Sequence, residues 1–181
     1  MTPREKAQEA ARWWHGLQPD PERKRPGDRA ALARLRRCET VLDAAVEPAA
    51  LDFAKRVGVR GGEDPALGDA LLAAVVLAHV RKDAPGLPVA RQLGAAGADK
   101  RAAMSPLRLA RLLAADTREE RLVAFRRAVA LADRTLDVRD LAHALLDWSE
   151  RRRVAWAFAY HAVPPPGTDA DPTRPADGGT A

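Results

Sequence analysis

Nine consecutive apolar residues, Ala70 to Ala78, constrain this chain more than any other feature. At helical spacing such a run leaves no polar face, and a helix that is apolar all round has to be enclosed by other elements. The run is also far below the ~20 residues that a membrane-spanning helix requires. It consists mostly of alanine and leucine, both strong helix formers, whereas aromatic residues make up only 4% of the chain. The expected core is a central helix started by Asp64-Pro65, with Leu71, Leu72, Val75, Val76 and Leu77 inside and other helices packed around it.

Local signals place those helices. Thr2-Pro3-Arg4-Glu5 reads as a capping box, in which Thr2 and Glu5 satisfy each other's free backbone N–H groups, opening a helix that runs to about Leu17. Pro19, Pro21, Pro26 and Gly27 make a charged loop. Asp28 then caps a second helix expected to continue to about Val46, with Leu32, Leu35 and Leu42 on its apolar stripe. Pro48 starts a short helix with Leu51, Ala54 and Val57, which Gly58 is placed to end. After Pro85-Gly86, a short helix is expected over Leu87 to Leu93. Ser105-Pro106 starts a helix with Leu109, Leu112 and Leu113 inward, and Thr117 to Glu120 is a second capping box ahead of Leu122, Phe125, Val129 and Ala132. Asp137 caps a helix with Leu141, Leu145 and Trp148, and the last helix carries Val154, Trp156 and Phe158.

No stretch alternates apolar with polar residues, so no β-sheet is expected. The predicted fold is all-α, with two packed helical halves, 1–98 and 99–163, and a disordered tail over 164–181 rich in Pro, Gly, Asp and Thr. The N-terminus is charged from Arg4 onward with no apolar core behind it, so no signal peptide is expected, and the single cysteine, Cys38, fits a reducing cytoplasm.

Catalytic templates fail one after another. His15, His79, His143 and His161 have no metal-ligand spacing. His79 falls in the apolar helix and is expected to be a core residue, and His143 is expected to face solvent. Gly61-Gly62, Gly94 and Gly97 match no phosphate-binding loop, and Glu119-Glu120 are explained by their position at a helix N-terminus. No catalytic residue, metal or cofactor is predicted, and the chain is read as a non-enzyme.

Charge points to a partner instead. The chain carries a net +5 and a sequence pI near 10.0, mostly through arginine, whose planar fork suits phosphate. One basic cluster runs from Arg23 through Lys24, Arg25, Arg29, Arg34, Arg36 and Arg37. Another comprises Lys100, Arg101, Arg108, Arg111, Arg118, Arg121, Arg126 and Arg127, and a third is Arg151-Arg152-Arg153. Arg126 and Arg127 follow the core residue Phe125, so at least one of them faces solvent. Trp148, Trp156 and Phe125 belong to apolar stripes, whereas the adjacent Trp13 and Trp14 cannot easily both be buried against one neighbour, so one of them is a candidate for packing against a partner subunit, with plain core packing as the other reading. Without aromatic platforms in the basic clusters, sequence-blind contact to phosphates is the expected mode.

The order of these signals resembles the CasB-type small subunit of the type I-E CRISPR Cascade complex. The residues that carry it are Ala11-Arg12-Trp13-Trp14, Gly27-Asp28-Arg29 through Arg36-Arg37, Arg108-Leu109-Ala110-Arg111-Leu112-Leu113, Phe125-Arg126-Arg127-Ala128 and Trp148-Ser149-Glu150-Arg151. The resemblance covers roughly residues 5–162. It implies a cytoplasmic, non-catalytic, two-part helical protein of antiviral defence. Its implied partners are crRNA, the target and non-target DNA strands, the large CasA-type and backbone CasC-type subunits, and a second copy of itself. It implies that Arg36, Arg37, Arg108, Arg126 and Arg127 contact nucleic acid, with Arg34, Lys100, Arg101 and Arg111 as basic neighbours of that pattern, and Arg29, seven residues before Arg36 and on the same helix face, is a further candidate. Replacing Arg36 and Arg127 together by alanine is then expected to weaken R-loop retention at an unchanged melting temperature. A helix-turn-helix DNA-binding regulator is the alternative, although its recognition helix would need Gln, Asn or Ser where these helices offer arginine and alanine. A helical scaffold with an incidental basic surface is the third reading.

Overall fold

The computed structural model describes residues 1–22, 24–94 and 102–161. Its elements are α1 (Pro3–Leu17), α2 (Arg29–Arg37), α3 (Val41–Ala44), α4 (Pro48–Arg56), α5 (Leu67–Ala78), β1 (Lys82–Asp83), α6 (Val89–Leu93), α7 (Pro106–Leu113), α8 (Arg118–Leu131), β2 (Thr135–Leu136), α9 (Val138–Leu146) and α10 (Glu150–Tyr160).

The apolar helix α5 is the hub. All nine residues from Ala70 to Ala78 are at most 3% exposed, because α2, α3, α4, α8 and α9 pack around them. Helix α1 lies mainly on α9 and α4, and α10 closes over α6 and α7. The buried residues form one continuous cluster that draws on elements from both sides of residue 98. The expected boundary near residue 98 and the expected tail over 164–181 lie outside the described residues.

Helix starts follow the caps. Thr2 with Glu5 and Thr117 with Glu120 both form reciprocal capping boxes. Asp28, Ser105 and Asp137 accept from backbone N–H groups one turn into α2, α7 and α9. The helix expected from Asp28 to Val46 instead breaks at Cys38. A third box, Thr40 with Asp43, restarts the chain as α3, the Asp43 carboxylate accepting from the N–H groups of Thr40 and of Glu39 at 2.9 Å each. The break rotates Leu42 and Val46 to the surface, 77% and 78% exposed. In α4 the buried anchor is Phe53 rather than Leu51, its ring 4.7 Å from that of Trp13.

Two further expectations are corrected. Trp13 and Trp14 are both 3% exposed, because α1 has neighbours on more than one side. Trp13 meets Phe53, while the Trp14 indole N–H donates to the Leu77 carbonyl at 3.0 Å. Neither is left for a partner. The predicted absence of sheet fails in one detail: β1 and β2 pair in parallel, Lys82 opposite Thr135 and Asp83 opposite Leu136. A two-residue pairing is too short to require an alternating pattern, so periodicity could not reveal it. Among the described residues no helix is long and apolar enough to cross a membrane.

Candidate nucleic-acid interface

Helix α8 organises the basic side chains. Phe125 faces inward, with its ring 4.8 Å from Trp148 and 5.6 Å from Trp156, and that contact fixes the rotation of the helix. The two arginines after Phe125 consequently point to different neighbours.

Arg127 is exposed and borders a groove between α7 and α8 whose other lining includes Arg108, Arg111, Leu112, Ala124 and Leu131. Ser105 caps α7 and Leu109 and Leu112 bury its inner face, which turns Arg108 and Arg111 outward. Among the described residues none of these three guanidinium groups has an ion pair or hydrogen bond. An apolar-floored groove rimmed by three uncompensated guanidiniums is built to accept anions.

Arg126 turns the other way and is half-buried. Its two terminal nitrogens donate to the carbonyls of Cys38 and Arg36 at 3.2 and 3.3 Å, satisfying acceptors that the end of α2 leaves without intrahelical partners. Arg36 does the same for α5, donating from Nε to the Ala78 carbonyl at 2.6 Å. Burial first, and then the positive charges of Arg81 and Arg134, lower the pKa of Arg36 from its ordinary value. Beneath these side chains lies His79, whose Nε2 is buried without a partner. Burial, followed by Arg126, Arg36 and Arg134, depresses its pKa to about 4, so the ring is neutral near pH 7.

The remaining predicted positions divide cleanly. Arg29 and Arg37 are exposed and unpaired among the described residues, whereas Arg34 is held by Glu47 at 2.9 Å. Lys100, Arg101 and Arg23 lie outside the described residues. The other arginines of the basic clusters are largely structural. Arg118 and Arg121 share the Asp69 carboxylate at 2.9 and 2.8 Å, and Arg153 bridges Asp116 and the Leu113 carbonyl. Arg152 lies 2.6 Å from His143 Nε2, so that histidine is half-buried against an arginine and does not simply face solvent. Cys38 is buried, and burial raises its thiol pKa, with Glu47 and Asp43 adding to the rise. Sequence reasoning overlooked Arg81 and Arg134, which stand outside the basic clusters in the chain and are brought together by the β1–β2 pairing.

The model of the CRISPR-associated protein Cse2 family matches residues 31–161. This chain belongs to that family. The CasB-type resemblance of the sequence is thereby borne out, and the helix-turn-helix alternative is not favoured. The matched span contains Arg34, Arg36, Arg37, Arg108, Arg111, Arg126 and Arg127, and also Arg81 and Arg134. Comparison with curated proteins gives no match. Among solved structures, the fold is similar to a chain in the 3.20 Å crystal structure of E. coli Cascade bound to a PAM-containing dsDNA target. The two are 19% identical with a TM-score of 0.61, over 85% of this chain and 95% of that one.

Proposed function

We propose that this protein is the small, non-catalytic subunit of a type I-E CRISPR surveillance complex in the cytoplasm, where it grips sugar–phosphate backbones and so stabilises the R-loop. Its partners are the crRNA, the target and displaced DNA strands, the CasA-type and CasC-type subunits and a second copy of itself. The observation that carries this reading is the outward row Arg108, Arg111 and Arg127, uncompensated among the described residues, on a chain of the Cse2 family.

The mechanism follows from a near balance. Exchanging a DNA duplex for an RNA–DNA hybrid changes free energy little, so backbone contacts of modest strength tip it toward the open state. Guanidinium groups contact phosphate oxygens without inspecting bases, which suits a subunit that must tolerate any target sequence. Arg37 and Arg29 extend the same chemistry along α2. Arg36 and Arg126 keep charge at the surface while holding helix ends together.

The test is salt-dependent binding of the full chain to labelled single strands and duplexes. Three phosphate contacts correspond to a slope of about 2 in log affinity against log salt for single strands. Removing them with Arg108→Gln, Arg111→Gln and Arg127→Gln is expected to abolish most of that slope, and scrambled sequences are expected to compete equally. A strongly preferred duplex sequence would instead identify a regulator, and an unchanged slope in the triple variant would remove the α7–α8 row from the interface.

A further inference from the structure

The pairing of β1 with β2 has an electrostatic result. Arg81 and Lys82 both donate their backbone N–H groups to the Arg134 carbonyl, at 2.8 and 3.2 Å. This junction gathers three basic residues from two distant segments at the end of the central helix. Arg134 terminates α8 with its own N–H bonded to the Val129 carbonyl at 2.9 Å, which fixes the side chain's point of departure. Arg36 reaches the same place from α2 through its bond to the Ala78 carbonyl. Arg36 feels the charges of both Arg81 and Arg134, and His79 those of Arg36, Arg126 and Arg134.

Among the described residues the counter-charge is missing. Asp83, the acidic residue of β1, is engaged elsewhere, with one oxygen 3.0 Å from His15 and the other accepting from Val138 N–H at 3.0 Å. Among the described residues the guanidiniums of Arg36, Arg81 and Arg134 have no carboxylate partner. Stabilising surfaces place opposite charges together, and clustered like charges repel unless an anion sits among them. Arg36 has committed its Nε, which leaves its terminal nitrogens available, and Arg81 is exposed.

We infer that Arg36, Arg81 and Arg134 form a second seat for the phosphodiester backbone of a nucleic-acid strand, separate from the α7–α8 row. This inference rests on the reading of the chain as a nucleic-acid-binding subunit. Because Arg126 turns to α2 and Arg127 to α7, the two seats flank α8, and a strand crossing that helix meets both. The seat recognises phosphate charge, so it does not distinguish ribose from deoxyribose.

The test uses the full chain and fluorescence anisotropy with labelled single-stranded DNA, single-stranded RNA and an RNA–DNA hybrid across a salt series. Arg81→Gln with Arg134→Gln is expected to lower the salt slope on single strands by about 1.4, the share of two phosphate contacts. The melting temperature should be unchanged or higher, since repulsion is relieved. Lys55→Gln, an exposed charge on α4, should leave the slope as it is. A wild-type slope in the Arg81/Arg134 variant, while the Arg108/Arg111/Arg127 variant loses its own, overturns this seat and leaves the subunit reading standing. Loss confined to RNA overturns the phosphate basis of the seat. Failure of the wild-type chain to bind any strand at low salt overturns both proposals.

Discussion

Arg36→Ala and Arg127→Ala separate two roles that the sequence pattern places together. The resemblance implies nucleic-acid contact for both residues, but only Arg36 donates to a helix end, its Nε 2.6 Å from the Ala78 carbonyl at the close of α5. A hydrogen bond with a charged donor contributes about 1.5–3 kcal/mol, and its loss leaves a carbonyl at the edge of the core without that partner. Part of this is offset, because Arg36→Ala also removes a half-buried charge beside Arg81 and Arg134. The net cost should be about 1–2 kcal/mol, a fall of roughly 2–8 °C in melting temperature for a chain of this size. Arg127→Ala breaks no hydrogen bond or ion pair among the described residues and should stay within about 0.5 kcal/mol of wild type. The expectation of an unchanged melting temperature therefore applies to Arg127 alone. Thermal unfolding followed by circular dichroism gives the stabilities, and the salt slope of strand binding gives the function. Both variants should lose about 0.7 of that slope on single strands. An Arg36→Ala protein that melts with wild type would refute the helix-end role of this residue.

Two further outcomes follow from buried features. His79 has its pKa depressed to about 4 from 6.5, so between those values the unfolded chain binds more protons than the folded one. Its contribution is thus complete above about pH 6.5 and is lost as the pH falls toward 4. The shift corresponds to at most about 3 kcal/mol, reduced to about 1–2 by the ring's partial exposure to solvent, and His79→Gln should flatten this part of a stability–pH curve. An identical curve in that variant would show that other groups set the acid limit. Gly94→Ala should cost more than about 2 kcal/mol, because the added Cβ would collide with the backbone carbonyl of Tyr160 and push α10 away from α6. Unfolding monitored through Trp156 fluorescence reads that separation, and wild-type stability would disprove the close approach.

What the sequence made legible was local. Caps such as Thr117 with Glu120 announce helix starts because donor and acceptor lie within one turn, and the apolar run of α5 announces its own burial. The Thr40–Asp43 box has the same logic, but the leucine stripe runs on through it and hides the break, so Leu42 reads as a core residue although it is exposed. The site was legible only as composition. Sequence could say that Arg126 or Arg127 faces solvent, but which one does so is decided by the carbonyls at the end of α2, and these come near only in the folded chain. Arg81 and Arg134 give still less warning, since neither lies in one of the three basic clusters and their meeting depends on a pairing of two residues with two. The same tertiary contacts that remove Arg118, Arg121 and Arg153 from the candidate interface bring Arg81 and Arg134 into it. A count of arginines along the chain therefore measures the charge available for a polyanion, while the carboxylates and helix ends around each one determine how much of that charge remains free to bind.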